Sequence, residues 1–286
     1  MTVLIAGCGD LGTEAGLRFA ATAHRVVGWR RSPEKLPPEI EGVEANLASA
    51  GLPPIPADTT AVVVAVAADS PTEDAYRAAY VDGLERVLNA LKRDAVAPRR
   101  VLFVSSTAVY GDAGGGWVDE STTAASGGYS GRILREAEEL LHGQFHGTET
   151  RGIVLRLGGI YGPARTRLID QVRGGSAVVP DQPRYTNRIH RDDAAAAIVH
   201  LMTMKSMPSA TYVGVDNYPA ELGEVLRFLA SELGVPELPA GPAGEPRGGN
   251  KRCSNALLRS TGFEFAFPSF REGYREVLAG TGVRHP

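Results

Sequence analysis

The chain has 286 residues, 43% hydrophobic and 22% charged, with 30 basic against 33 acidic side chains and a formal net charge of −3. That balance leaves no basic footprint for nucleic acid or a membrane surface, and the longest apolar run, Ala61 to Ala68, is far too short to span a bilayer. Cys8 and Cys253 are too few for a disulfide framework, and Met1 to Ala6 lacks the parts of a secretory leader, so a cytoplasmic location is expected.

In chain order, Val3 to Ala6 reads as a strand, followed by a glycine loop and a helical stretch through Ala15, Leu17 and Phe19. Arg25 to Trp29 is a second strand, and the valine-rich run Ala61 to Ala67 has the unbroken apolar character of a strand buried on both faces. Tyr76, Tyr80, Leu84, Val87, Leu88 and Leu91 recur at helical spacing. Val101 to Val104 is another strand, Ile133 to Leu141 another helix stripe, and Gly152 to Leu157 a further strand. Strands alternating with helices predict an α/β fold with a doubly wound parallel sheet, whose ligands sit beyond the carboxyl ends of the strands.

Past Gly162 the pattern loosens. Ala164 to Arg188 is rich in Arg, Pro and Gly, and Pro236 to Gly249 reads as a linker. Asp193 to Met202 and Leu222 to Leu233 read as helices and Thr211 to Val215 as a short strand. The aromatics Phe263, Phe265, Phe267, Phe270 and Tyr274 are expected to form the core of a smaller domain.

Gly7-Cys8-Gly9-Asp10-Leu11-Gly12 is a G-x-G-x-x-G between a strand and a helix. Such a loop turns tightly at its first glycine, admits a pyrophosphate at its second and packs helix on strand at its third, while the helix N-terminus offers amide donors. After the second strand stand Arg30 and Arg31, with no carboxylate before Glu34. Arginine there suits the 2′-phosphate of NADP, whereas NAD usually meets an acidic residue. NADP is therefore the expected cofactor, with NAD as the alternative.

With that loop, Ser105-Ser106-Thr107-Ala108-Val109-Tyr110-Gly111 and Leu155-Arg156-Leu157-Gly158-Gly159-Ile160-Tyr161-Gly162-Pro163 in hand, a resemblance emerges. The chain resembles the extended short-chain dehydrogenase/reductases of the NAD(P)-dependent epimerase/dehydratase type, which act on nucleotide sugars. Asn46-Leu47, Tyr80 to Leu84, Ile189 to Asp193 and Pro268 to Gly273 extend the likeness nearly end to end. It implies a Rossmann-type domain over 1–163, with 187–216 returning to it, and a smaller interleaved substrate domain from 164–186 and 217–286. It implies a cofactor held by Gly7, Gly9, Asp10, Leu11, Gly12, Arg30, Arg31, Asn46, Leu47, Ala67, Ala68, Ser105, Gly159 and Ile160. It also implies a small-molecule substrate, a nucleotide sugar or another carbonyl compound, with neither nucleic acid nor membrane as partner, and it allows a homodimer.

In this family a tyrosinate moves the proton, a Ser or Thr holds the reacting oxygen, and a lysine four residues after the tyrosine lowers the phenol pKa. Ser106 matches the hydroxyl position and could equally cap the next turn. Tyr129 is the tyrosine in the matching segment, but Ile133 stands four residues on. Only four lysines occur, Lys35, Lys92, Lys205 and Lys251, and none between Lys92 and Lys205. Arg132 is the nearest substitute cation, although a guanidinium does not copy a lysine's geometry. Alternatively, Ser130 to Glu138 resembles the helix start of atypical members without the tyrosine. Two readings remain: an epimerase/dehydratase-like oxidoreductase with an atypical centre, or a catalytically degenerate NADP-binding sensor or interaction protein. His142 and His146 read as surface histidines with no metal, His190 as organising the domain junction, and Arg184 and Arg188 as weak candidates for a substrate diphosphate.

Overall fold

The computed structural model describes residues 1–49, 51–242 and 248–286; part of the expected Pro236 to Gly249 linker, residues 243–247, lies outside them. Seven strands form one parallel sheet: Thr2–Ala6 (β1), Arg25–Arg30 (β2), Glu41–Glu44 (β3), Thr59–Val64 (β4), Arg100–Ser106 (β5), Arg151–Leu157 (β6) and Thr211–Gly214 (β7). Their spatial order is β7-β6-β5-β4-β1-β2-β3. The chain winds outward from β1 through β2 to β3, then restarts at β4 on the other side of β1. This reversal parts the connections leaving β1 and β4 and opens a crevice at their carboxyl ends.

Both sheet faces are buried, so each central strand is apolar throughout. Leu4, Val62, Val64, Val101, Phe103 and Val154 face one core, shared with Gly83–Arg93 and Tyr129–Phe145. Val3, Ile5, Val63, Leu102, Ile153 and Leu155 face the other, shared with Asp10–Ala21 and Arg191–Thr203. A third core joins Arg167–Arg173, Leu222–Leu233 and Phe270–Leu278 through Val172, Leu226, Leu229 and Phe270. The five late aromatics are divided rather than gathered in that core. Phe263 and Phe265 pack beneath the sheet with Leu258, Phe267 lies tilted against His190 at 4.0 Å between ring centres, and of the five only Phe270 and Tyr274 enter the third core. Spacing in sequence showed their apolar character but not which layer each would meet.

The helix expected through Tyr76 to Leu91 is broken by a π-helical turn at Arg77–Asp82, between Glu73–Tyr76 and Gly83–Arg93. Such turns recur at functional sites. The strand expected to reach Ala67 ends at Val64, and Ala65 to Ala68 turn away as crevice wall. Among the described residues no helix is long and apolar enough to cross a membrane.

The helix Tyr129–Phe145 is fixed against the sheet at two places. Gly131 sits so close to the loop after β5 that a methyl group there would lie 2.4 Å from the Ala108 carbonyl oxygen. Further along, Glu138 accepts two bonds from Arg156 Nε (3.0 and 3.2 Å), one from Arg156 Nη2 (2.6 Å) and one from Ser105 Oγ (2.6 Å), all buried. Arg156 also donates to the Tyr110 hydroxyl at 2.8 Å. Removing one member of a buried ion pair strands the other charge. Glu138→Ala is therefore expected to destabilise the protein by about 3–5 kcal/mol, measured by denaturant unfolding.

Candidate active site

The crevice is a cavity of about 760 Å³, a size suited to a small-molecule or cofactor ligand. Its floor is the glycine loop. Gly7 has φ +88°, and a Cβ there would lie 2.7 Å from the Ala65 carbonyl oxygen. Gly12 would drive a Cβ to 2.9 Å from the Gly7 carbonyl oxygen and 3.0 Å from Ile5. Gly9 differs: among the described residues nothing lies within 4 Å of its missing Cβ. Its bareness serves space in the cavity rather than packing, which suits a phosphate brought against the amides that open the following helix. Cys8 lies in the same loop, and burial pushes its thiol up to about 11, so it brings no negative charge to the cavity.

The cavity brings together Gly7, Gly9, Asp10, Leu11, Arg30, Arg31, Asn46, Leu47, Ala67, Ala68, Ser105, Ser106 and Ile160. Gly12 packs beneath it, and Gly159 pairs with Arg188 in a short parallel bridge outside the lining. At the end of β2, Arg30 has a buried Nη1 with no hydrogen-bond partner among the described residues. Arg31 instead forms a two-pronged pair with Asp69, at 2.9 and 3.0 Å. Ser32 and Lys35 line the same end. An orphaned guanidinium nitrogen beside arginine and lysine fits the 2′-phosphate of a dinucleotide.

Around β5 the geometry separates two adjacent serines. Ser105 spends its hydroxyl proton on Glu138. Ser106 accepts from the Ala108 amide at 3.2 Å, capping a short 3₁₀ turn, and its own proton stays free to donate into the cavity. Tyr129 donates to the Pro71 carbonyl at 2.6 Å, stands edge-on to Tyr76 and does not line the cavity. Arg132 bonds the Gly127 carbonyl and pairs with Glu73, also outside the lining. Leu134, on the same helix, does line it. Tyr80, from the π turn, lines it as well, and burial raises its phenol above the ordinary value, so it stays protonated at neutral pH.

Other residues fall elsewhere. Lys251 is buried behind the loop after β5, its Nζ donating to the carbonyls of Tyr110 and Gly248, and it does not line the cavity. Arg188 is buried near Asp216, whose carboxyl burial pushes up to about 7. His190 is buried, accepts from the Asp192 amide at 3.3 Å and faces Glu276 at 3.3 Å. His142 bonds the Ala210 carbonyl, and no group of three metal-binding side chains exists among the described residues. Sequence reasoning missed Lys35, Tyr80, Leu134 and Arg165 in the lining. Leu134 had a signal, in the Ser130-x-x-x-Leu134 spacing, and Arg165 another, two residues past the Gly-Pro motif.

Comparison with known proteins agrees with this architecture. The family model described as "NAD dependent epimerase/dehydratase family" matches residues 3–213. Protein YeeZ of Escherichia coli strain K12 is 39% identical over 103 residues, covering 36% of this chain and 35% of that protein, so the match spans about a third of that curated relative. A Methylobacillus flagellatus structure, provisionally described as an NAD-dependent epimerase/dehydratase, is 35% identical over 97% of each chain, with a TM-score of 0.77. MoeE5, solved with UDP-glucose and NAD, shares the fold at 21% identity and a TM-score of 0.80 over 98% of each chain. With the family match covering most of the sequence and the glycine loop in place beneath the crevice, the chain belongs to the NAD dependent epimerase/dehydratase family.

Proposed function

We propose that this protein is an NADP-preferring oxidoreductase acting on a carbonyl or nucleotide-sugar substrate, with a reaction centre that dispenses with the tyrosine–lysine pair. The buried Nη1 of Arg30 at the end of β2, unpartnered among the described residues, carries the cofactor preference. Gly7, Gly9 and the helix start at Asp10 would hold the diphosphate, Arg30 with Lys35 the 2′-phosphate, and Ala67, Ala68 and Ile160 the walls. A bound nicotinamide supplies or accepts the hydride. Ser106, with its proton free, holds the reacting oxygen, while Ser105 is committed to Glu138. The substrate enters between the sheet domain (1–163 with 187–216) and the smaller one (164–186 with 217–286). The UDP-glucose bound by MoeE5 supports a nucleotide sugar as the first class to test.

A second reading, a dinucleotide-binding sensor or interaction protein without turnover, is favoured by two observations. The Tyr129 hydroxyl is engaged by Pro71, and Leu134 rather than a lysine faces the cavity. Single-turnover mixing separates the two, with NADPH against simple carbonyl compounds, which accept a hydride, and with oxidised NADP against nucleotide sugars, whose alcohol carbons donate one. Stoichiometric oxidation of NADPH or reduction of NADP supports the enzyme, and neither across the panel supports the sensor.

Two variants test the residue assignments. Arg30→Ala removes a charge-assisted contact to the 2′-phosphate and is expected to weaken NADPH binding about 10- to 100-fold, with NADH within about threefold by calorimetry; equal losses would remove the preference. Ser106→Ala is expected to lower turnover on the order of 10²-fold with NADPH affinity unchanged. Tyr129→Phe, by contrast, should leave turnover within about twofold.

A further inference from the structure

Asp10 places a carboxylate in the first turn of the helix that follows the glycine loop, beside the surface prepared for an anion. Left bare, it would repel a diphosphate and compete with it for the helix N-terminus. It is not bare. Its side chain is 7% exposed, and both oxygens are occupied. Oδ1 accepts from Arg191 Nη1 at 2.8 Å and from the His285 amide at 3.1 Å, and Oδ2 accepts from Arg165 Nε at 2.9 Å.

The two arginines are not equivalent. Arg191 is 2% exposed, and its nitrogens are all engaged: Nη1 by Asp10, Nε by Asp192 and Nη2 by the Val283 carbonyl. Arg165 is 33% exposed, lines the cavity with Gly7, Gly9, Asp10 and Leu11, and makes only the Nε bond. Its terminal nitrogens carry no hydrogen bond among the described residues. Its backbone is tied to Gly162 in an antiparallel bridge, with the Arg165 amide donating to the Gly162 carbonyl at 2.9 Å, so the side chain springs from a fixed base.

We propose that Arg165, oriented by Asp10, is a diphosphate clamp. Its free edge reaches a nucleotide diphosphate from beside the glycine loop, with the fork geometry that suits phosphate oxygens. Asp10 then acts as a holder of the clamp rather than a competitor of the ligand. Because Arg165 follows the Gly162-Pro163 turn that leads into the smaller domain, diphosphate binding fastens that segment to the glycine loop. The inference rests on the cavity being a dinucleotide site, and the NADP preference enters only through the adenosine 2′-monophosphate control. A dinucleotide and a nucleotide sugar both carry the diphosphate, so the test distinguishes them.

The intact chain and its Arg165→Ala and Arg165→Lys variants would be titrated calorimetrically with NADPH, NADH, UDP-glucose and adenosine 2′-monophosphate, which lacks a diphosphate. For a clamp on the dinucleotide, Arg165→Ala weakens NADPH and NADH by the same factor, about 10- to 100-fold, and leaves adenosine 2′-monophosphate within about twofold. Arg165→Lys recovers part of the loss, because charge returns without the fork. A loss confined to UDP-glucose keeps the clamp and assigns it to the substrate. Unchanged affinities for all diphosphates, or equal losses that include adenosine 2′-monophosphate, overturn it. If the unaltered protein binds neither NADPH nor NADH, the dinucleotide reading itself has failed; if it binds them and Arg165→Ala binds every diphosphate equally well, only the clamp has.

Discussion

Everything at the site depends on one close approach. Gly7 turns with a positive φ against the Ala65 carbonyl oxygen, where any side chain would collide. That contact lets β1 and β4 end side by side, although the chain leaves them in opposite directions across the sheet. The amides of Gly7 and Cys8 both reach the Trp29 carbonyl at the end of β2, at 3.1 and 2.9 Å, so three strand ends are fixed relative to one another. The cavity is the space these ends enclose. Its depth follows from Gly12 packing the helix onto the loop from below, and its room for a ligand from the emptiness around Gly9.

Around this frame, buried charge positions groups more than it stabilises the fold, since burying ion pairs costs much of what their attraction returns. Glu138 gathers Ser105 and Arg156 and so distinguishes Ser105 from Ser106 at the tip of β5. Asp10 gathers Arg191 and Arg165 and aims one free guanidinium edge into the cavity. The cations lining the cavity are thus arginines and Lys35, grouped toward β2 and beside the glycine loop, while the helix Tyr129–Phe145 contributes only Leu134. The shortage of lysine is therefore a matter of place. Lys35 lines the cavity and Lys251 is buried behind the β5 loop, but neither stands where a tyrosine would need it.

Much of the fold was legible because its determinants are local or periodic. Val62 to Val64 had to be buried on both faces, the glycines had to sit between strand and helix, and Leu222–Leu233 followed its apolar spacing. The π turn at Arg77–Asp82 was not legible, since one extra residue per turn scarcely disturbs a pattern of apolar positions. The direction of Tyr129 was not legible either. A tyrosine at a helix start can face inward or outward, and here the Pro71 carbonyl and the Tyr76 ring hold it.

By itself, the sequence determined the alternation of strands and helices, the glycine turn between the first strand and helix, the arginine pair at the end of β2 and the absence of a lysine four residues after Tyr129. Each of these lies within a short stretch of chain, where backbone sterics and apolar periodicity act directly. The tertiary structure alone decided which of two neighbouring serines keeps its proton free, that Arg31 turns to Asp69 while Arg30 keeps an unpaired nitrogen, and that Arg165 meets Asp10 across 155 positions of sequence. Those outcomes depend on pairing between distant segments. Buried polar groups take whichever partner the packed layers bring within hydrogen-bond reach, and sequence spacing carries no record of that distance.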